Sequence, residues 1–192
     1  MSELAAKWNK KFAEHTCEAT AACDVLADNQ HLLPTNAKAL DFACGLGGNA
    51  VLLAELELET HAWDISRVAL DKLDHYAKVR KLNISTYERD VEIYPPEPHS
   101  FDVIVVSNFL HRPSFSKLIK ALRKDGLLFY QTFTANKVTD IGPTNPDFLL
   151  GKNELLELCI ELEILVYREE GMQGNTASGF RNQAMIVAKS FD

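Results

Sequence analysis

A basic surface is the first thing this sequence lacks. Its Lys and Arg number 20 against 27 Asp and Glu, giving a formal net charge of -7. Binding along nucleic acid needs a face of cations to replace counterions, so a nucleic-acid partner is not expected. The short cluster Lys78, Arg80 and Lys81 reads instead as the solvated end of a helix, where cations suit the dipole. Apolar runs long enough to span a bilayer are also missing, and the start MSELAAKWNKKF has no signal-peptide core. No membrane partner is therefore expected, and the reading is cytoplasmic. Four cysteines occur, Cys17, Cys23, Cys44 and Cys159, but none forms a C-x-x-C pair and no His stands at ligand spacing. They read as reduced thiols, with no metal site. Repeats, low-complexity tracts and linkers are absent as well, so residues 1–192 read as a single domain.

What is present is an alternation. Hydrophobic residues make up 46% and charged residues 24%, ordinary values for a globular chain. Residues 3 to about 31 read as helix, with Leu4, Trp8 and Phe12 on one side and Ala19, Ala22, Cys23 and Leu26 continuing the spacing. That N-terminal segment, residues 1–33, is expected to pack on or cover the functional site. AKALDFAC is a buried strand and GNAVLLAELE its helix; THAWDI is a second strand, followed by a helix capped by Ser66. ISTYERD is a weaker third strand, and the prolines of YPPEP fix a loop. FDVIVVSN is apolar enough to be covered on both faces. A helix, the strand GLLFYQTF, a long loop over 134–151, another helix and two last strands complete the order. Strand–helix alternation predicts an α/β fold, a mostly parallel sheet with helices on both faces. The last two strands are joined by GMQGNTASGF, too short for a helical crossover, so they should pair antiparallel.

The stretch LDFACGLGGNAVLL carries the chemistry. An apolar strand meets Asp41, turns through Gly45, Gly47 and Gly48, and resumes as a helix, so a backbone here can come close to a ligand. In open α/β sheets ligands sit beyond the carboxyl ends of the strands, where strand order reverses. Asp64, nineteen residues after Gly45, ends the second strand and suits a pair of ribose hydroxyls. GLGGNA also fits the dinucleotide pattern G-x-G-x-x-G/A, which leaves an NAD-linked oxidoreductase as one reading. Asp41 speaks against it, because a pyrophosphate beside a buried carboxylate is repelled. S-adenosylmethionine has no phosphate and carries an ammonium and a sulfonium, which an acid favours. Asp90 is the third acid in a series at successive strand ends. It could accept the adenine amino group with Val91 against the ring, or act as a turn residue.

At these residues the sequence resembles a family. ALDFACGLGGNAVLLAELELETHAWDIS is similar to motif I and the following acidic motif of class I S-adenosylmethionine-dependent methyltransferases. FDVIVVSNFLHR and LRKDGLLFYQTF resemble their fourth-strand motif and the helix-Gly-strand motif after it. WNKKFAE and REEG resemble a bacterial branch related to tellurite-resistance and thiopurine methyltransferases. The resemblance implies a Rossmann-like three-layer sandwich, a seven-stranded sheet with its last strand antiparallel. It implies S-adenosylmethionine as cofactor. Asp41, Gly45 and Gly47 would line its methionine part, Asp64 the ribose, and Asp90 with Val91 the adenine, with Ala43 and Ile65 also among the cofactor-binding residues. Ser107 and Asn108 would lie beside the sulfonium. Many relatives carry Tyr where this chain has Phe12, so a phenol near the cofactor carboxylate is missing.

A sulfonium is already a good leaving group, so the protein must mainly align the reactants and exclude water. The expected acceptor is a small molecule or a metalloid oxyanion. His111 and Arg112, just after the fourth strand, are the candidate catalytic pair: together they could hold an anion, or His111 could take a proton. Thr134, Glu169, Glu170 and Arg181 are further candidates at the open end, with Arg181 or Arg112 as partner for an inward-facing glutamate. A domain that binds the cofactor without catalysis is the remaining reading.

Overall fold

The computed structural model describes residues 2–15 and 21–191. Its seven strands form one sheet in the order β3-β2-β1-β4-β5-β7-β6. They are β1 Lys38–Phe42, β2 Glu59–Asp64, β3 Ile84–Glu88, β4 Phe101–Ser107, β5 Leu122–Phe133, β6 Glu163–Arg168 and β7 Gln183–Lys189. The helices are α1 Glu3–Ala13, α2 Asp24–Ala27, α3 Gly48–Glu55, α4 Arg67–Arg80, α5 Phe115–Ala121 and α6 Glu154–Leu158. Strands β1 to β5 pair parallel, whereas β7 runs antiparallel to both β5 and β6. The expected seven-stranded sheet with its last strand inserted antiparallel is the sheet observed.

Burial explains the strand sequences. Val103, Ile104, Val105 and Val106 are all buried, because β4 lies between β1 and β5 with side chains packed on both faces. On one face Leu40, Phe42, Ile104, Val106, Leu128 and Tyr130 meet Phe115 and Leu118 of α5 and Leu155 of α6. On the other, Ala39, Val103, Val105, Phe129 and Val187 meet Val25 and Leu26 of α2 and Leu53 of α3. Each such aliphatic or aromatic side chain contributes about 1.5–3 kcal/mol when fully buried. The edge strand β3 is more exposed, as its polar sequence requires.

The N-terminal expectation needs correction. The helix over 3–31 does not run through: α1 ends at Ala13, residues 21–23 are not helical, and the next helix among the described residues is Asp24–Ala27. Ala19, on which the longer helix partly rested, and Cys17 lie outside the described residues. A side chain distant in sequence meets this end of α1. The Lys72 ammonium on α4 donates to the carbonyl oxygen of Phe12 at 2.6 Å and also to those of Ala13 and His15. The Phe12 carbonyl also accepts from the His15 amide at 3.3 Å, so Lys72 reinforces a terminal turn that the backbone itself partly closes. At its other end α1 is capped by the Ser2 hydroxyl, which accepts from the Ala5 amide.

The strand order reverses between β1 and β4. From β1 the chain moves outward through β2 and β3, then returns to β4 on the opposite side of β1. The carboxyl ends of β1 and β4 therefore flank the crevice where α/β sheets take ligands.

Candidate active site

The glycine turn is built from both sides. Gly47 adopts φ +77° and is the N-cap of α3, with its amide donated to the Cys44 carbonyl at 2.9 Å. A side chain there would be strained and would also enter Leu73 of α4, 2.6 Å from Cδ1. Gly45, at φ +53°, faces the Phe12 ring, which stands 3.2 Å from where a Cβ would be. The first helix thus lies against the turn through Phe12, with Trp8 stacked on that ring at 5.7 Å between centroids. Asn9 of α1 joins the same docking: its Oδ1 accepts from Ser66 Oγ at 2.7 Å and from the Val68 amide at 3.2 Å. Ala43, also at positive φ, carries the chain from β1 into the turn.

Asp41 is fully buried beneath the first turn of α3. Its Oδ2 accepts from the Ala50 amide at 3.0 Å and its Oδ1 from Asn49 Nδ2 at 3.2 Å. Burial pushes its carboxyl up to about 7, against the pull of those two hydrogen bonds and with a further push from the Asp64 charge. Asp64, buried at the end of β2, accepts from the Gly45 amide at 2.8 Å and from the Ser66 amide at 2.8 Å. Burial raises its carboxyl too. Neither carboxylate is paired with a cation among the described residues. The turn therefore holds two buried acids whose ionised forms lack a counter-charge, which suits a cationic ligand and repels a pyrophosphate. Cys44, between them, is no nucleophile: burial raises its thiol far above the usual range, and both carboxylates push the same way.

The remaining expected residues fall around this centre. Ile65 is half-buried after Asp64, and its backbone N–H also favours the Asp64 carboxylate. Asp90 follows β3 and closes a turn, its Oδ1 accepting from the Glu92 amide at 3.2 Å, while Val91 is buried next to it. Ser107 ends β4 and Asn108 follows it. Ser107 Oγ accepts from Asn49 Nδ2 at 3.0 Å, so one amide group joins Asp41 to the end of β4. Asn108 is exposed, with φ +54°.

The candidate catalytic pair divides. His111 Nδ1 lies 2.6 Å from Ser114 Oγ, and its Nε2 faces Glu92 Oε2 at 3.9 Å, over the turn after Asp90. Arg112 points elsewhere. Its Nε and Nη2 take both oxygens of Glu154 at 2.5 and 2.9 Å, and its Nη groups also donate to the carbonyls of Asp147 and Leu149. Arg112 is a clamp on the end of loop 134–151, with all three nitrogens engaged inside the protein. Arg181 is likewise internal, donating to the carbonyls of Glu170, Gly171, Asn175 and Ser178 and lying 3.7 Å from Glu170. The expected glutamate partner of Arg181 is thus Glu170, in an arrangement that shapes the β6–β7 connection. Glu169 accepts from the Tyr167 hydroxyl and from the Asn153 amide. Thr134 is buried, and its bridge to Leu150 joins the two ends of the long loop.

Residues 39–126 match the methyltransferase domain family. Over 138 residues, 69% of this chain, the sequence is 30% identical to the curated "Probable S-adenosyl-L-methionine-dependent methyltransferase TehB" of Haemophilus influenzae. The chain spans about half the length of the curated relatives it matches, 48% of each. Among solved structures, TehB from Haemophilus influenzae superposes with a TM-score of 0.71 at 22% identity, covering 95% of this chain and 67% of that one. An S-adenosylmethionine-dependent methyltransferase from Methanosarcina mazei superposes at 0.66 with 18% identity, covering 89% and 99%. The chain thus shares a Rossmann-like sandwich with these structures, and its resemblance to the class I methyltransferases lies in both sequence and fold.

Sequence reasoning passed over three side chains that organise this centre: Asn49, Gln131 and Gln183. Their signal was a polar residue inside an apolar run, as in GGNAVLL and LLFYQTF.

Proposed function

We propose that this protein transfers the methyl group of S-adenosylmethionine to a small molecule or an oxyanion, with the donor seated in the crevice between β1 and β4. The observation that carries the reading is the pair of buried carboxylates at the glycine turn, Asp41 and Asp64, neither paired with a cation among the described residues. When bound, the donor supplies an electrophilic methyl carbon on a sulfonium that leaves as a neutral thioether.

The chain's own groups align, enclose and select. Asp41 and the turn through Ala43, Gly45 and Gly47 hold the ammonium end. Asp64 with Ile65 takes the ribose, and Asp90 with Val91 the adenine. Ser107 and Asn108 border the reacting centre. Phe12 closes the crevice from above Gly45, which makes α1 a cover that excludes water and belongs to the same domain. Holding reactants in line is worth up to about 7–11 kcal/mol in well-aligned cases, more than any acid or base need supply here. His111, beside Glu92, borders the acceptor mouth and is the group placed to take a proton from a protic acceptor. Arg112 acts indirectly, by fixing the loop that frames the mouth. No helix among the described residues is long and apolar enough to cross a membrane. With Cys23, Cys44 and Cys159 free, we place the enzyme in the cytoplasm.

The test compares ligands. Isothermal titration should show S-adenosylhomocysteine binding at micromolar concentrations and NADH not binding. NADH binding alone would overturn the reading and restore the oxidoreductase. Binding of the homocysteine ligand without transfer to thiols, amines, hydroxyls, tellurite or selenite would leave a cofactor-binding module instead.

A further inference from the structure

At the end of β4 a chain of side-chain amides has its direction fixed by the backbone. The Val25 amide, at the start of α2, donates to Gln131 Oε1 at 2.7 Å. Gln131 then donates through Nε2 to Gln183 Oε1 at 2.7 Å, and Gln183 donates through Nε2 to Asn108 Oδ1 at 2.7 Å. A carboxamide has one carbonyl and one NH2, so the polarity of the first link dictates the rest. Val25 can only donate; hence each oxygen in the chain faces inward, and Asn108 is left with its NH2 as the outward group. Reversal would set the Gln131 NH2 against the Val25 N–H. Leaving such buried groups unpaired costs about 1–3 kcal/mol, and Gln131 is 5% exposed, beyond the reach of bulk water. The Asn108 backbone is held as well, its amide donating to the Gln131 carbonyl at 2.9 Å.

This end of the chain adjoins the proposed reacting centre. Asn108 follows Ser107, whose hydroxyl accepts from Asn49, the same amide that holds Asp41. We infer that Asn108 presents N–H donors to the methyl acceptor, so that the seat selects nucleophiles with lone pairs to spare: thiolates, selenolates and oxyanions. An amine must aim its lone pair at the methyl carbon, and its remaining N–H groups then need an oxygen, which Asn108 has turned inward. A thiolate or oxyanion aims one lone pair at the carbon and accepts from Asn108 with another. The new bond forms from sulfur, selenium or oxygen to carbon, the old carbon–sulfur pair returns to the sulfonium, and no proton is moved. Gln131 and Gln183 are positioning residues that act through Asn108.

The inference rests on the methyl-transfer reading, and the experiment separates the two. Protein labelled with nitrogen-15 and loaded with S-adenosylhomocysteine is titrated with thiophenolate, selenite and benzylamine, following side-chain amide signals by NMR. Thiophenolate or selenite should shift the Asn108 pair, and benzylamine should not. In Gln131→Glu the Val25 amide keeps an acceptor, but Gln183 must now donate inward, which turns the Asn108 oxygen out. The preference should reverse toward benzylamine, with S-adenosylhomocysteine affinity within about threefold of the parent. Should that variant not fold, Asn108→Gly, which tolerates the positive φ, should lose at least tenfold in affinity for the anionic probe alone. A benzylamine shift in the parent, no shift with any probe, or an unchanged preference in the variants overturns the inference. Failure to bind S-adenosylhomocysteine overturns the methyl-transfer reading beneath it.

Discussion

Asp64 holds the turn after β1 from the end of β2, accepting the Gly45 amide at 2.8 Å on one oxygen while the other takes Ser66 at 2.8 Å. The same carboxylate is thus a structural brace and, on the proposed reading, the ribose ligand. Asp64→Asn puts an NH2 opposite one of those amides. The loss of one acceptor costs about 1–3 kcal/mol of stability, read by urea unfolding, and S-adenosylhomocysteine affinity should fall at least tenfold by calorimetry. A variant that loses stability but keeps the affinity would leave Asp64 as a brace alone.

Asp41 makes stability depend on pH in a direction opposite to that of most carboxylates. Its folded value is about 7, raised from 3.8, so between those limits the folded state binds more protons than the unfolded one. Unfolding free energy must therefore fall as pH rises from about 4 to about 7, by at most about 4 kcal/mol, and then level off. Asp64, raised as well, adds a slope of the same sign. A ligand ammonium favours the ionised form, so S-adenosylhomocysteine affinity should rise over the same range. Asp41→Asn should flatten both curves, which urea titrations and calorimetry between pH 5 and 8 would register.

How much of this was legible depends on how far apart the interacting residues lie. Asp41 and Asp64 were readable because each ends an apolar run, and a short connection before β7 announced the antiparallel pair. The sheet followed from alternation, since period and punctuation are local properties. Features missed are those settled across the chain. Helical spacing over residues 3–31 gave no hint that Lys72, some sixty residues on, would take the last carbonyls of α1. Arg112 looked like a free cation at the mouth because Glu154, its partner, is 42 residues later. The amide chain needs β5 beside β7 and α2 above them before Gln131, Gln183 and Val25 can meet.

Gly47→Ala tests whether the turn tolerates any side chain. The residue sits at φ +77°, and the new methyl would enter Leu73 in the packing between α3 and α4. A left-handed alanine costs about 1–2 kcal/mol, and overpacking typically another 1–3 kcal/mol. Thermal unfolding should drop by several degrees. Leu73→Ala in the same chain should relieve the overpacking but not the backbone strain, so rescue should be incomplete.

The Arg112 clamp predicts loosening without loss of the donor site. Arg112→Lys keeps the charge but cannot make the forked contact to Glu154 or reach both carbonyls of loop 134–151. That loop should become cleavable by protease under native conditions while S-adenosylhomocysteine affinity stays near the parent value. The pair also has an acid limit. Arg112 holds the Glu154 carboxyl below its usual value, so the clamp is present above the unfolded value of 4.5 and is lost as pH falls through the folded one. Cleavage of the parent loop should accelerate at the same acid pH.

Phe12 carries the last test, that of the cover. Its ring abuts Gly45, and the helix bearing it is tied to α4 by Lys72 and through Asn9. Phe12→Ala removes the ring and leaves those ties, so α1 should stay folded while the turn opens to water. Hydrogen exchange at the Gly45 amide should speed up, and S-adenosylhomocysteine should dissociate faster with little change in association rate, since nothing that steers the ligand is altered. Lys72→Met acts from the other end: it frees the last turn of α1 and should raise exchange along the whole helix. If Phe12→Ala left dissociation unchanged while Lys72→Met sped it up, the cover would act through the helix as a body rather than through the ring on Gly45.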